Sequence, residues 1–432
     1  METERVKLAY YHESREVEVP KKNLIGVLHP KQVFKAENLE ACLNENLDHP
    51  VGTRPFNEMC AGKKRICVVI CDLTRPMQTD RVLPVLLDRI KTYAPEAEVT
   101  LLIALGTHRP LTDEEIDQLC GTGIREKYRV VNHAFNDPEQ LVKVPCDCKD
   151  IPDVMINKIL VESDFKVAVG AVKPHPIFGW SGGAKIVIPG VAGYDTTGYS
   201  HWMSCPYKGV EVMGKVDNPV RTLYESIIVK AGLMDFIINA VLTEESEISD
   251  VRCGDVIQAH RACVKLAEKY YLRDVDQPAD AILVGVGKWA SDLWVGSNAV
   301  YQSEFYLRKG GTIVLFGNFP EGISPVHKEI AQWGYQPYRK VKKLVEDGTL
   351  SHDLTLAAHL VHLGRVLDAR QAECVLISEG ISREEAKKAG LDYLDDPGQV
   401  MDYLTEKYGP DVKILAIPGF NSTPIISAHP LP

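Results

Sequence analysis

Between Ala171 and Trp202 the chain carries Lys173, His175, Lys185 and His201, and the only carboxylate in that stretch is Asp195. Two amines and two imidazoles with so little acid around them suggest an anionic ligand, and imidazole titrates near neutrality, which suits proton transfer. The run Lys173-Pro174-His175-Pro176-Ile177-Phe178-Gly179-Trp180-Ser181-Gly182-Gly183-Ala184-Lys185 is dense in proline and glycine. Such density fixes an irregular backbone and lets it approach a ligand closely.

Three chemistries compete for this segment. Gly179-Trp180-Ser181-Gly182-Gly183 matches the G-x-S-x-G nucleophile elbow, which would make Ser181 a hydrolase nucleophile. That motif needs a tight strand-to-helix turn, whereas the apolar run before it ends near Val169 and two prolines intervene. A phosphate-binding P-loop is excluded, because Ile186 follows Lys185 where a serine or threonine must reach magnesium. In the third reading Lys185 is a covalent attachment point and the histidines are a metal ligand and bases. Spacing alone does not establish it.

Two more clusters follow apolar, β-branched runs. After Ile66 to Cys71 comes Asp72-Leu73-Thr74-Arg75-Pro76, where Asp72 and Thr74 can cap a turn or bond a ligand hydroxyl and Arg75 offers a planar fork for a carboxylate or phosphate. After Val99 to Leu105 comes Gly106-Thr107-His108-Arg109-Pro110. For each cluster a purely structural loop is the competing reading.

The elements that must position these residues alternate between strand and helix. Phe165 to Val169 completes a set of three strands in the first half, and Thr112 to Cys120 reads as a helix entered through a Thr112/Glu115 capping box. Val220 to Ala231 and Gly254 to Tyr271 read as helices. A polar stretch from Arg273 to Asp280 then precedes a fresh strand, Ala281 to Val286. The second half repeats the pattern: strand Thr312 to Phe316, helical regions Val326 to Asp347 and Leu354 to Leu367, strands Cys374 to Ile377 and Lys413 to Ile417, and a Ser382/Glu385 capping box.

The expected class is α/β, with two domains, largely parallel sheets and an interdomain cleft. Residues 1–272 would form the cofactor-binding, catalytic domain and 279–405 a second α/β domain, with 406–432 able to return to the first. In open α/β sheets ligands sit beyond the carboxyl ends of strands, where the three clusters fall.

Composition bounds the rest. A chain of 432 residues with 45% hydrophobic content can bury more than one core. Its 59 acidic against 49 basic residues give a net charge of -10, which disfavours nucleic acid and anionic lipid. Eleven scattered cysteines without framework spacing point to a reducing compartment. The charged start, lacking a signal-peptide core, and the lack of a long apolar span fit a cytoplasmic protein with no membrane partner.

Asp72-x-Thr74-Arg75-Pro76, Gly106-Thr107-His108-Arg109-Pro110, Pro174-His175, Ser181-Gly182-Gly183-x-Lys185 with Pro189-Gly190, and His201 sixteen residues beyond Lys185 together resemble the nickel-pincer nucleotide-dependent lactate racemase family and its 2-hydroxyacid racemase relatives. No single motif is specific; five in order are. The resemblance implies a pyridinium mononucleotide cofactor attached through a thioamide at Lys185, with His201 completing a nickel site whose other ligands are a carbon and two sulfurs of the cofactor. Imidazole and soft sulfur donors suit Ni(II). It further implies His108 and His175 as general bases, Arg75 as the residue that orients substrate, and Asp72, Thr74, Ser181, Gly182 and Gly183 as nucleotide contacts. Proteins of cofactor synthesis would be partners, and a small 2-hydroxycarboxylate the substrate. The implied reaction removes the α-hydrogen as hydride and returns it to the opposite face. A non-catalytic carrier of the nucleotide is the other alternative.

Lactate racemases carry a Tyr-Gln-x-x-Lys pattern facing substrate; the best alignment here gives Trp294-Val295-Gly296-Ser297-Asn298. With the lysine absent, a longer hydroxylated acid such as gluconate, epimerised at C2, suits Trp294, Ser297 and Asn298 better than lactate does. Cys146-x-Cys148 reads as two surface thiols, His352, His359 and His362 as a packed or solvated helix face, and Asn421 as a loop residue that could reach the cleft.

Overall fold

The computed structural model describes residues 2–73, 77–146, 151, 153–419 and 424–430. The chain divides into two compact units. One comprises residues 32–200 and 215–270; the other comprises 1–31, 201–214 and 271–432.

The first unit is built on a six-stranded sheet in the order Ile248–Gly254, Phe236–Leu242, Phe165–Ala171, Arg65–Cys71, Glu98–Ala104, Arg129–Asn132. All neighbours run parallel except the first pair. The central strands are continuous apolar runs because helices cover both faces of such a sheet. Ile66, Cys67, Val68, Val69 and Ile70 are almost wholly buried, each large aliphatic contributing about 1.5–3 kcal/mol relative to exposure. Phe56 packs against Phe165 and Phe236 at ring separations of 5.7 and 5.2 Å. The helix Thr79–Tyr93 turns Val82, Leu83, Leu86, Leu87 and Ile90 inward at the i, i+4 and i+3 spacings of one helical face. Helix Asp113–Cys120 starts at the expected capping box, with Thr112 and Glu115 bonding one another's backbone N–H.

The second unit has an eight-stranded sheet. Asp392–Tyr393, Glu373–Ile377, Leu307–Phe316 and Ala279–Gly287 run parallel in that order. Ala279–Gly287 also pairs with Ile414–Ile417, which pairs in turn with Leu24–Val27. The antiparallel hairpin Thr3–Tyr11 and Glu13–Pro20 joins at Tyr10↔Val286 and Tyr11↔Gly287. Both sheets are mostly parallel and carry helices, so the class is α/β as expected.

The division of the chain differs from a first domain spanning 1–272. Residues 1–31 supply three strands to the C-terminal sheet, and Ala9 N–H to Pro418 O (2.9 Å) and Leu28 N–H to Ala416 O (2.8 Å) tie the two chain ends together. The 406–432 segment therefore belongs with the C-terminal unit. Two helical expectations also shift. Val326 to Asp347 is two helices, Ile330–Trp333 and Tyr338–Glu346, because Gly334 adopts φ +65° and Pro337 cannot continue a helix. Gly254 ends a strand, and the helix after it starts at Gln258. Among the described residues no helix is long and apolar enough to cross a membrane, and no cysteine forms a disulfide.

Candidate functional site

Strands Glu98–Ala104, Arg65–Cys71 and Phe165–Ala171 are parallel neighbours, with Cys71 level with Ala104 and Ile70 level with Val169. Their carboxyl ends therefore open on one edge of the sheet. Asp72, His108 and the 173–185 segment leave that edge, the place where α/β sheets bind ligands. Gly106 N–H donates to Gly190 O at 2.8 Å, tying the His108 loop to the chain just beyond the 173–185 segment.

Asp72 and His108 form a pair: Nδ1 of the imidazole is 2.6 Å from Oδ2 of the carboxylate. An ionised carboxylate only accepts, so Nδ1 carries the proton and Nε2 holds a lone pair. Asp72, expected as a nucleotide contact, is thus placed to fix the tautomer of His108. Thr74 and Arg75 lie outside the described residues.

The 173–185 segment begins with a short hairpin, Pro174–His175 against Gly179–Trp180. At its turn Nδ1 of His175 accepts from the backbone N–H of Ile177 (3.2 Å) and Phe178 (3.3 Å). Phe178 links two predicted residues, since its ring centre lies 6.0 Å from the His175 ring and 5.8 Å from Lys185 Nζ. Lys185 sits in the short 3-10 turn Gly183–Ile186, half-buried, as is His175.

Ser181 is engaged structurally. Its hydroxyl donates to Ala171 O at 2.7 Å and accepts from Lys173 N–H at 2.9 Å, and the nearby His260 bonds its carbonyl, not its hydroxyl. The residue also lies between a hairpin strand and a 3-10 turn. Neither its bonding nor its position is that of a nucleophile elbow.

Gly182 and Gly183 both have positive φ, +73° and +57°. A Cβ on Gly182 would stand 2.8 Å from Asn239 Oδ1, and one on Gly183 would stand 2.8 Å from the His260 ring. The close approach that needs glycine here is therefore to the protein behind the loop. That backing consists of residues not singled out in the sequence. Asn239 Oδ1 accepts from Gly183 N–H (2.9 Å). Arg221, 1% exposed, donates to the carbonyls of Phe178 (2.8 Å) and Trp180 and pairs with Glu225 (2.9 Å), which Arg261 also grips. Arg261 donates to His260 Nδ1 (3.1 Å), so His260 carries its proton on Nε2 and gives it to Ser181 O (2.9 Å). Burial, then the neighbouring Arg221, hold His260 well below the usual histidine range, so it stays neutral. An asparagine inside the apolar run Phe236-Ile237-Ile238-Asn239-Ala240-Val241-Leu242 was the one legible sign of this layer.

His201 lies in the last turn of helix Tyr194–Trp202, half-buried, and belongs to the other unit. Its ring centre is 6.5 Å from that of His362, whose Nε2 meets Ser204 Oγ at 2.8 Å. Trp294 is stacked between His327 (4.2 Å) and His359 (3.6 Å), both nearly coplanar with the indole. Burial holds His359 and His362 well below the usual histidine range. His352 precedes the helix Leu354–Arg370 and is exposed, so only the other two share its buried face.

Ser297 is not available as a pocket hydroxyl: it is fully buried, and its Oγ bonds Trp294 O (2.9 Å) and Tyr301 OH (2.8 Å). Asn298 is half-buried and spends its Nδ2 on Val295 O (2.8 Å). Cys146 is half-buried, while Cys148 and Asn421 lie outside the described residues. A cavity of about 360 Å3 bordered by Tyr10, Arg15, Glu379 and Asp395 contains none of the predicted residues. Among the described residues no group of three or more His, Cys, Asp or Glu side chains is arranged to hold a metal ion.

Residues 10–211 match the model of the lactate racemase N-terminal domain. The chain is 28% identical over 292 residues to the lactate racemase of Lactiplantibacillus plantarum, a match covering 65% of this chain and 66% of that protein, just under two thirds. It is 27% identical over 328 residues to the lactate racemase of Thermoanaerobacterium thermosaccharolyticum, covering 73% and 75%. The apoprotein structure from the latter organism superposes with a TM-score of 0.84 at 22% identity, covering 97% of this chain and 99% of that one. A Thermotoga maritima protein of known structure gives 0.69 at 23% identity, covering 90% and 98%. At these identities the solved structures speak for the fold.

Proposed function

We propose that the chain is an isomerase of the lactate racemase type, as the match of residues 10–211 and the two lactate racemase relatives support, and that it interconverts stereoisomers of a 2-hydroxyacid using a nickel-pincer nucleotide bound at Lys185. The observation that carries the reading is the Asp72–His108 pair, set on the same sheet edge as the loop of His175 and Lys185.

The residues present fit such a cofactor. Lys185 offers a primary amine beside the buried Phe178 ring, on a loop braced from behind by Arg221, Asn239 and His260. His201 offers an imidazole as the protein's ligand to nickel. Ser181, Gly182 and Gly183 shape the backbone before Lys185, with Thr74 as a further nucleotide contact. When bound, the cofactor supplies an acceptor that takes the α-hydrogen as hydride and gives it back.

The protein groups handle the proton and the orientation. Removing the α-hydrogen of a hydroxycarboxylate as a proton would build a dianion, so it would leave as hydride while the hydroxyl proton goes to the lone pair on His108 Nε2. Asp72 holds that imidazole in the basic tautomer and stabilises the imidazolium that forms, as a buried carboxylate does behind other catalytic histidines. His175 attends the substrate oxygen, and Arg75 would orient the substrate through its carboxylate. A planar 2-keto acid results, and turning its other face before the hydride returns inverts the centre.

The substrate we propose is longer and more hydroxylated than lactate, with gluconate epimerised at C2 as the leading case. Support rests on the missing lysine of the Tyr-Gln-x-x-Lys pattern and on Trp294 and Asn298 in its place, Ser297 being committed inside the fold. Cofactor-loaded enzyme offered enantiopure lactate, malate and gluconate tests this. The expected result is fastest change in optical rotation with gluconate; clear preference for lactate would overturn it. We also place the protein in the cytoplasm with the proteins that make its cofactor.

A further inference from the structure

A closed circuit of side chains begins and ends on the segment that carries Lys185. Arg221, 1% exposed, uses every edge of its guanidinium: Nε donates to Phe178 O (2.8 Å), Nη2 to Trp180 O, and Nη1 to Glu225 Oε1 (2.9 Å). Arg261 grips the same carboxylate through both terminal nitrogens, at 2.7 and 2.6 Å, and donates to His260 Nδ1 (3.1 Å). His260 closes the ring by giving Nε2–H to Ser181 O (2.9 Å). The carbonyls of Phe178, Trp180 and Ser181 are thus all turned to the protein interior by side-chain donors.

The segment has little stiffness of its own, since Gly179, Gly182 and Gly183 all have positive φ. Its shape must come from what holds it. Phe178 is the link to the amine: Arg221 fixes its carbonyl, and its buried ring lies 5.8 Å from Lys185 Nζ. A second link runs through the backbone, because Arg221 Nη2 reaches Gly182 O at 3.5 Å, the same carbonyl to which Lys185 N–H donates at 3.3 Å. Buried ion groups are weak evidence for stability, since well-packed apolar side chains can replace them at little cost. Carbonyls spread along a turn need donors set in a plane, which a guanidinium supplies and an apolar side chain or a point-like ammonium does not. Resting on the reading of Lys185 as the attachment point, we propose that Arg221 is a positioning residue: it sets where the Lys185 amine stands beside the Phe178 ring, and thereby how readily that amine takes up the cofactor.

The test has one arm without cofactor and one with it. Full-length, cofactor-free protein is treated with trace acetic anhydride under native conditions, and acetylation of Lys185 is read by peptide mass against that of the exposed Lys91. In Arg221→Ala and Arg221→Lys the ratio is expected to rise several-fold over wild type, because an amine no longer held beside Phe178 meets the reagent more freely. Arg221→Lys keeps the cation without the fork and is the milder change, so it decides the matter should Arg221→Ala not fold. In protein made alongside the cofactor-synthesis proteins, adduct per folded chain is expected to fall on the order of tenfold in the same variants, since a misplaced amine loses its approach. Faster general acylation with poorer specific attachment is a pattern that lost stability alone does not give. An acylation ratio equal to wild type in the folded variants overturns the proposal, and so does adduct per folded chain equal to wild type. Failure of the attachment reading shows separately: wild-type protein then gains no adduct while a lactate racemase control does, and the acylation ratio still decides what Arg221 does to the amine.

Discussion

Asp72 Oδ2 lies 2.6 Å from His108 Nδ1, and the carboxylate side chain is 4% exposed while the imidazole is 44% exposed. The orienting carboxylate is buried and the imidazole side chain is partly open, the division expected of a carboxylate that sets a tautomer. Asp72→Asn can present its own N–H to Nδ1 and so favour the wrong tautomer. In loaded enzyme it is expected to lower kcat about 10²-fold or more with little change in KM. A rise in KM alone would assign Asp72 to ligand binding instead.

Ser181→Ala separates the isomerase from the hydrolase reading. The substitution leaves Ala171 O and Lys173 N–H without their shared hydroxyl, a loss of about 1–3 kcal/mol of stability. Racemisation is expected to persist in the folded variant, and wild-type protein is expected to resist a covalent serine probe. Labelling of Ser181 would contradict this account.

Arg221 is the centre of the layer behind the 173–185 loop. Arg221→Ala strands Glu225 with Arg261 as its remaining cation and frees the carbonyls of Phe178 and Trp180. Breaking such a buried pair costs about 3–5 kcal/mol, read as a lower denaturation midpoint. A midpoint within about 0.5 kcal/mol of wild type would show that the loop does not depend on it.

Stability should fall in mild acid. Burial lowers His133 to about 4 and holds His260 well below the usual histidine range, so both are neutral when folded. Unfolded, each binds a proton below about pH 6.5. The unfolded state then holds more protons, so stability is lost as pH falls through about 6.5 and continues to fall until the folded group itself protonates. Each histidine contributes about 1.4 kcal/mol per pH unit in that window. Denaturant unfolding of wild type and His133→Gln at pH 7, 6 and 5 checks it: the variant should lose less per unit, and equal slopes would exclude His133.

Much of this was legible in the sequence, and the rest was hidden for physical reasons. Ile66 to Cys71 and Phe165 to Val169 announce themselves because strands buried on both faces are continuous apolar runs. The hairpin Thr3–Tyr11 and Glu13–Pro20 is harder to assign to a sheet, since its partner, Ala279–Gly287, is more than 250 residues away and periodicity says nothing about pairing at that distance. His108 and His175 were recognisable as candidates, but Asp72 beside one ring and the N–H groups of Ile177 and Phe178 beside the other are partners that only folding brings there. Arg221 and Glu225 look like an ordinary i, i+4 surface pair until burial is known. Ser297 misled in the other direction, because a serine written as a pocket hydroxyl can be satisfied within its own helix turn.

The central claim, that Lys185 is the attachment point of a nickel-bearing nucleotide, is tested most directly by intact-mass and metal analysis of protein made alongside the cofactor-synthesis proteins. A lactate racemase loaded in parallel serves as the control. The expected result is a covalent adduct that maps to Lys185, one nickel per chain, and loss of both in Lys185→Ala. Absence of adduct and nickel in this chain while the control is loaded would contradict the account.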